Sequence, residues 1–164
     1  MKADDSTIIL MSLLIMMLLI SSCKKKDNTN FLECKVNGQR WSADHGKGLG
    51  DYPLSAKMYG DTILQIDAMK GIEDIWITIY SYVYLGRHDI GACNGYFSCA
   101  HYDNDLSTKS YSTDTLHTGY INIETLDKKN LVVTGTFSFN AVYSDSSKTV
   151  NITEGKFSIP LQRY

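Results

Sequence analysis

From Leu131 to Tyr143 the chain alternates with a period of two. Val133, Gly135, Phe137, Phe139 and Ala141 share one face, and Thr134, Thr136, Ser138 and Asn140 share the other. A period of two is the signature of a strand and is incompatible with the 3.6-residue repeat of a helix. One apolar and one polar face fit an antiparallel sheet with one side on a core and one side in water. This stretch sets the fold class, and the rest of the chain agrees with it. Leu32, Cys34 and Val36 alternate up to Asn37-Gly38, the strongest short hairpin signal, and Trp41 and Ala43 follow on the return.

Further strands are expected at Ser55–Tyr59, Thr62–Met69, Ile75–Leu85, Tyr96–Tyr102 and Gly119–Leu126. Between them, Asp44–Pro53 reads as a glycine-rich loop, Gly86–Gly95 as irregular and Asp103–Asp114 as a polar stretch. Near the C-terminus Val150 and Ile152 sit at even positions, while Phe157, Ile159 and Leu161 sit at odd ones. A one-residue slip swaps the faces of a strand, so a bulge or tight turn is expected across Glu154-Gly155. No helical period of useful length follows the N-terminal segment. The reading is an all-β domain, an antiparallel β-sandwich or partly open β-barrel of about ten short strands, after an N-terminal signal helix.

That N-terminal segment is of a different kind. Ile8 to Ile20 is almost wholly apolar. As a helix it is roughly 20 Å long, against a bilayer core of ~30 Å, which matches the apolar region of an export signal rather than a span. Ser21 and Ser22 then precede Cys23. Small residues before a cysteine suit the cleavage pocket of a lipoprotein signal peptidase, and the arrangement resembles the bacterial lipobox. The expected organisation is a signal peptide over 1–22, a lipidated Cys23 with a polar tether to residue 30, and a single β domain over 31–164. Two or more acyl chains on Cys23 (diacylglyceryl and palmitate-like groups) anchor a protein stably where one does not. The expected location is the cell envelope, at the outer membrane, with the side of that membrane left open. Lys24 at the second mature position does not look like the Asp that retains some lipoproteins in the inner membrane.

The stretches Gly119–Asp127, Val133–Ala141 and Val150–Phe157, with the lipobox and the Lys35-Val36-Asn37-Gly38 hairpin, resemble a family of small Bacteroidota lipoproteins of unknown function. The resemblance implies an envelope location and a β domain. It implies no activity and supplies no catalytic residues.

Charge excludes one class of partner. With 16 basic and 18 acidic residues the chain has no clustered basic face of the kind that nucleic acid demands. Cysteine use leaves three thiols besides Cys23. Cys93 and Cys99 are the preferred disulfide pair, because they are local and flank a turn, and an exported domain keeps such bonds. Cys34 lies on an apolar alternation and reads as a small buried hydrophobe. His101 follows Cys99 by two residues on one strand face, too little by itself for a nucleophile and its base.

Trp76, Tyr80, Tyr82 and Tyr84 form an aromatic stripe, a possible ligand face for a sugar ring or a protein partner, if the strand runs unbroken. Asp61-Thr62-Ile63 and Asp114-Thr115-Leu116 resemble a short O-glycosylation acceptor, which makes Thr62 and Thr115 candidate sites. His101, Asp103, Asp105 and Asp114 lack the glycine and the downstream Glu of a calcium loop. His45, His88 and His117 have no partner at zinc-ligand spacing. Gly46-Lys47-Gly48-Leu49-Gly50 is followed by no helix, so it is not read as a phosphate loop. No nucleophile elbow or zinc-protease motif is present. The reading is therefore a non-enzymatic envelope lipoprotein with no metal and no cofactor, with a glycan-binding accessory role as the alternative and a hydrolase a more distant third.

Overall fold

The computed structural model describes residues 30–44, 54–95, 97–104, 110–145 and 147–164. The signal segment, Cys23 and its tether, His45 with the glycine-rich run to Pro53, Tyr96, and Asp105 lie outside them.

Eleven strands make up the domain: β1 Phe31–Val36, β2 Gln39–Ser42, β3 Leu54–Tyr59, β4 Ile63–Lys70, β5 Glu73–Tyr80, β6 Gly86–Ile90, β7 Cys99–Asp103, β8 Tyr111–Ser112, β9 Gly119–Asp127, β10 Val132–Tyr143 and β11 Thr149–Arg163. Their ladder runs β2-β1-β11-β3-β4-β5-β7-β8-β10-β9-β6, and β10 also pairs with β11. The long strands β10 and β11 therefore belong to one wall, β2-β1-β11-β10-β9-β6. Their far ends reach the other wall, β3-β4-β5-β7-β8, at two corners.

Both joins are short. Val142 and Tyr143 pair with Ser112 and Tyr111 at one corner. Leu161, Gln162 and Arg163 pair with Ala56, Lys57 and Met58 at the other, in parallel. The result is the expected all-β sandwich or partly open barrel, with one parallel pairing in an otherwise antiparallel ladder.

The core lies between the walls. Leu64, Ile66 and Ala68 of β4 and Ile75, Ile77 and Ile79 of β5 face Val133, Phe137 and Phe139 of β10 and Ile152, Phe157 and Ile159 of β11, all buried. Each large apolar side chain so buried contributes roughly 1.5–3 kcal/mol. The Phe137 ring sits 6.3 Å from both the Phe139 and Phe157 rings. Gly155 lies opposite Phe137, and a Cβ there would come within 2.6 Å of that ring, so only glycine lets the two strands close over it.

The turn chemistry matches the sequence. Asn37 and Gly38 both have positive φ, 49° and 80°, as the twist of a two-residue hairpin requires. Asn37 then fastens the turn to β11: its N–H donates to Asn151 O at 2.8 Å, and its Oδ1 accepts from Asn151 N at 2.9 Å. The parity switch in β11 is a bulge. Phe137 pairs with Gly155 but Phe139 pairs with Ile152, and β1 shows the same slip between Glu33 and Lys35. Glu154 carries the bulge with φ 53° and reaches Lys35 at 2.7 Å. All of Val150, Ile152, Phe157, Ile159 and Leu161 consequently face inward.

Two expectations are corrected. Gly86–Ile90 is a strand, β6, rather than irregular. His88 takes an inward position, almost fully buried, with Nε2 2.9 Å from Tyr84 O. An imidazole where an apolar side chain is expected hides the alternation. The strand expected to run to Leu85 ends at Tyr80. Ser81 and Tyr82 turn to solvent, and Val83 folds back with its N–H donated to Asp61 O at 2.8 Å.

Candidate functional site

The end of β5, strand β6, the segment 91–98 and the turn before β9 enclose a cleft of about 680 Å³. Tyr80, Arg87, Asp89, Asn94, Phe97 and Ser98 are among its lining residues. Arg87 Nε donates to Asp89 Oδ1 at 2.9 Å, and its guanidinium lies 4.3 Å over the Tyr120 ring. That stacking steadies the guanidinium, whose side chain stays largely exposed. Phe97 is 59% exposed, a large apolar surface that folding leaves in water.

The aromatic stripe is only partly what the alternation suggests. Trp76 and Tyr80 do share the outer face of β5, half-buried. Trp76 is covered by the His101 ring, 5.2 Å away and nearly parallel. Tyr82 and Tyr84 lie beyond the strand, both exposed, and the Tyr84 ring meets that of His88 at 4.2 Å with a tilt of 41°. The four rings therefore form no single face, and of them Tyr80 alone lines the cleft. Thr62 and Thr115 both sit exposed in turns. Beside Thr115, Asp114 Oδ1 accepts from Leu116 N, His117 N and the His117 ring, and these bonds hold its carboxyl below the usual range. His117 is thus occupied within its own turn.

Behind the cleft wall lies a group that no spacing motif flagged. Cys93, Cys99 and His101 place two Sγ atoms and an imidazole nitrogen all within 4.8 Å of one another. Cys99 and His101 share the outer face of β7 because they are two residues apart in a strand. Cys93 is brought over them by the segment that leaves β6. Thr113 fixes that segment: its hydroxyl donates to Gly91 O at 2.6 Å and accepts from Ala100 N at 3.1 Å, and Cys93 N donates to Thr113 O at 3.4 Å. Cys93 Sγ lies 3.5 Å from Thr113 Oγ1 and 3.7 Å from Ala100 O.

Cys99 Sγ is 3.8 Å from His101 Nε2, while His101 Nδ1 is 2.9 Å from Ser112 Oγ. The expected disulfide partners are thus brought together, but both are free thiols here, as is Cys34. The pair shares its protons unequally. Cys93 is held toward the thiolate, first by the Cys99 thiol donating to it, with His101 and Thr113 adding to this against burial. The same bond, together with burial, pushes Cys99 up. Cys34 behaves as a buried apolar residue, its thiol pushed up to about 12 by desolvation.

The outer face of the same wall also carries Asp74, directly across from Asp103. Burial, then Asp67 and Asp103, raise Asp74 to about 6. Its Oδ1 is buried with no hydrogen-bond partner among the described residues. A second cleft, of about 560 Å³, opens over Cys34 and Trp41 between Lys35, Arg40 and Lys70. Among the described residues no helix is long and apolar enough to cross a membrane.

Comparison with curated proteins and with solved structures gives no match. A family model described as a domain of unknown function, DUF6252, matches residues 28–159, a span that takes in every element from β1 to most of β11. On that match, which covers the cleft and the thiol group together with the fold that positions them, the chain belongs to the DUF6252 family.

Proposed function

We propose that this protein is an envelope lipoprotein, held at the outer membrane by acyl groups on Cys23, whose β domain is a non-enzymatic binding module. The cleft beside β6 carries the binding half of this reading: it is large enough for a small ligand, and it sets two aromatic rings against an Arg–Asp pair. The anchor half rests on the apolar run Ile8–Ile20 and on Ser21-Ser22 before Cys23. A saccharide is the favoured ligand. Tyr80 and Phe97 supply flat surfaces for a sugar ring, and Arg87 and Asp89 supply donors and acceptors for its hydroxyls. The stacking surface is then Tyr80 with Phe97 rather than the stripe from Trp76 to Tyr84.

The two halves are tested separately. Cys23→Ala is expected to release the protein from the membrane fraction and to remove the acyl mass; unchanged partitioning and mass overturn the anchor. For the cleft, wild type and Tyr80→Ala/Arg87→Ala are compared on a panel of envelope and host saccharides. Loss of at least about tenfold in affinity at an unchanged melting temperature supports the site. Equal binding by the two proteins, or no binding to any saccharide by wild type, overturns the saccharide reading.

A further inference from the structure

We propose that Cys93, Cys99 and His101 form a site for a thiophilic divalent cation, zinc first, which pins the stretch Gly91–Asn94 onto β7. The donor set is two thiolates and an imidazole, the combination that borderline-soft cations select over hard ones. The spacing also fits. With zinc–sulfur bonds of about 2.3 Å and zinc–nitrogen bonds of about 2.0–2.1 Å, neighbouring ligand atoms in a tetrahedron lie roughly 3.6–3.8 Å apart. Cys99 Sγ and His101 Nε2 are 3.8 Å apart, and all three ligand atoms fall within 4.8 Å. An ion therefore enters with small side-chain rotations and no movement of β7.

The surroundings have the form of an outer coordination shell. Metal-bound histidines present one ring nitrogen to the ion and give the other to a fixed partner. His101 Nδ1 is already on Ser112 Oγ at 2.9 Å, which turns Nε2 toward the sulfurs, and the Trp76 indole lies flat against the ring. Thr113, itself buried, holds both the Gly91 carbonyl and the β7 backbone, so the segment carrying Cys93 is set before any ion arrives. Cys99 is buried while Cys93 and His101 are half-exposed, which leaves one side of the group open to solvent for ion entry and for water as the fourth ligand.

Binding forms two sulfur–metal bonds and one nitrogen–metal bond; the proton that the Cys99 thiol shares with Cys93 is released to solvent, and no electron moves. The three ligands do not line the cleft, although Ala92 and Asn94 on either side of Cys93 do; the cobalt band and the alkylation pattern report on the metal whether or not a saccharide binds.

The test uses the full chain extracted from membranes in detergent, with cellular thiols blocked at lysis. Mapping of the blocking reagent shows whether Cys93 and Cys99 are joined; a disulfide in the native protein overturns the proposal. Reduced protein is then titrated with cobalt(II) as the spectroscopic stand-in for zinc. One equivalent is expected to give a sulfur-to-cobalt charge-transfer band that zinc abolishes, and zinc is expected to protect Cys93 and Cys99, but not Cys34, from alkylation. Cys93→Ser should lose the band, and Ser112→Ala should weaken binding by about 10–100-fold while keeping it.

The alkylation readout needs no variant, so a substitution that fails to fold leaves the test intact. Absence of the band in wild type, or retention of copper(I) with no affinity for zinc or cobalt, overturns the assignment.

Discussion

Asp74 shows how a single side chain sets the response of the domain to pH. It sits across from Asp103, half-covered, with Oδ1 unsatisfied. The unfolded chain releases this proton near the ordinary carboxylate value of 3.8, whereas the folded chain releases it near 6. Between those values the folded state binds more protons, so its stability falls as pH rises and levels off above the upper value. Asp74→Asn removes the charge. It is expected to raise the unfolding free energy at pH 7 by about 1–2 kcal/mol, after allowance for solvent screening, and to flatten the fall between pH 4 and 6. Urea unfolding across that pH range checks it, and an unchanged slope means that Asp74 ionises in the folded protein as it does in the unfolded one. Nothing in the sequence marked this residue. Its burial depends on what three strands place around it, and Asp103 and Asp67 are its neighbours only through pairing.

At the level of elements, β11 carries the most information per residue. Glu154 is the extra residue that lets both halves of the strand turn their apolar side chains inward, against β10 on one edge and β1 on the other. Deleting Glu154 restores a uniform period and forces either Val150 and Ile152 or Phe157, Ile159 and Leu161 outward. At roughly 1.5–3 kcal/mol for each large side chain expelled, the expected outcome is loss of the folded domain, read as loss of near-ultraviolet circular dichroism and of protease resistance. Glu154→Gly keeps the residue count and suits the positive φ, so it should fold.

The bulge was legible in the sequence because the parity of five apolar residues changes across Glu154-Gly155. The hairpin at Asn37-Gly38 was legible from turn chemistry alone. Strand β6 was not, because a buried histidine stands in for an apolar residue. The thiol group was not either: Cys93 meets Cys99 and His101 through an irregular segment held by Thr113, twenty residues away in sequence from Cys93. Two of its members share a strand face that the alternation did reveal, and a metal-ligand search by fixed spacing passes over the third.

On the scale of the molecule, the two corners decide whether the walls stay together. The parallel join of Leu161–Arg163 to Ala56–Met58 is reinforced by Tyr164, whose N–H donates to Met58 O at 2.9 Å and whose ring stacks on Tyr59 at 5.3 Å. Lys128 and Arg163 both approach Asp61 beside it, at 2.7 and 3.8 Å. Removing residues 161–164 is expected to open this corner while leaving the β1-β11-β10-β9 wall paired. The check is hydrogen exchange, with β3 and β4 amides losing protection well before those of β9 and β10. Equal protection throughout would mean that the core alone holds the walls.

The same join has a consequence for the order in which the domain closes. The strand that ties β1, β3 and β10 together follows the other ten described strands in the chain, and its partners in β1 lie more than a hundred residues earlier. Until it is in place, β1 has only β2 to pair with and β3 has only β4. The two walls can therefore each form pairs early, but they are joined along the Leu161–Arg163 corner only when β11 arrives.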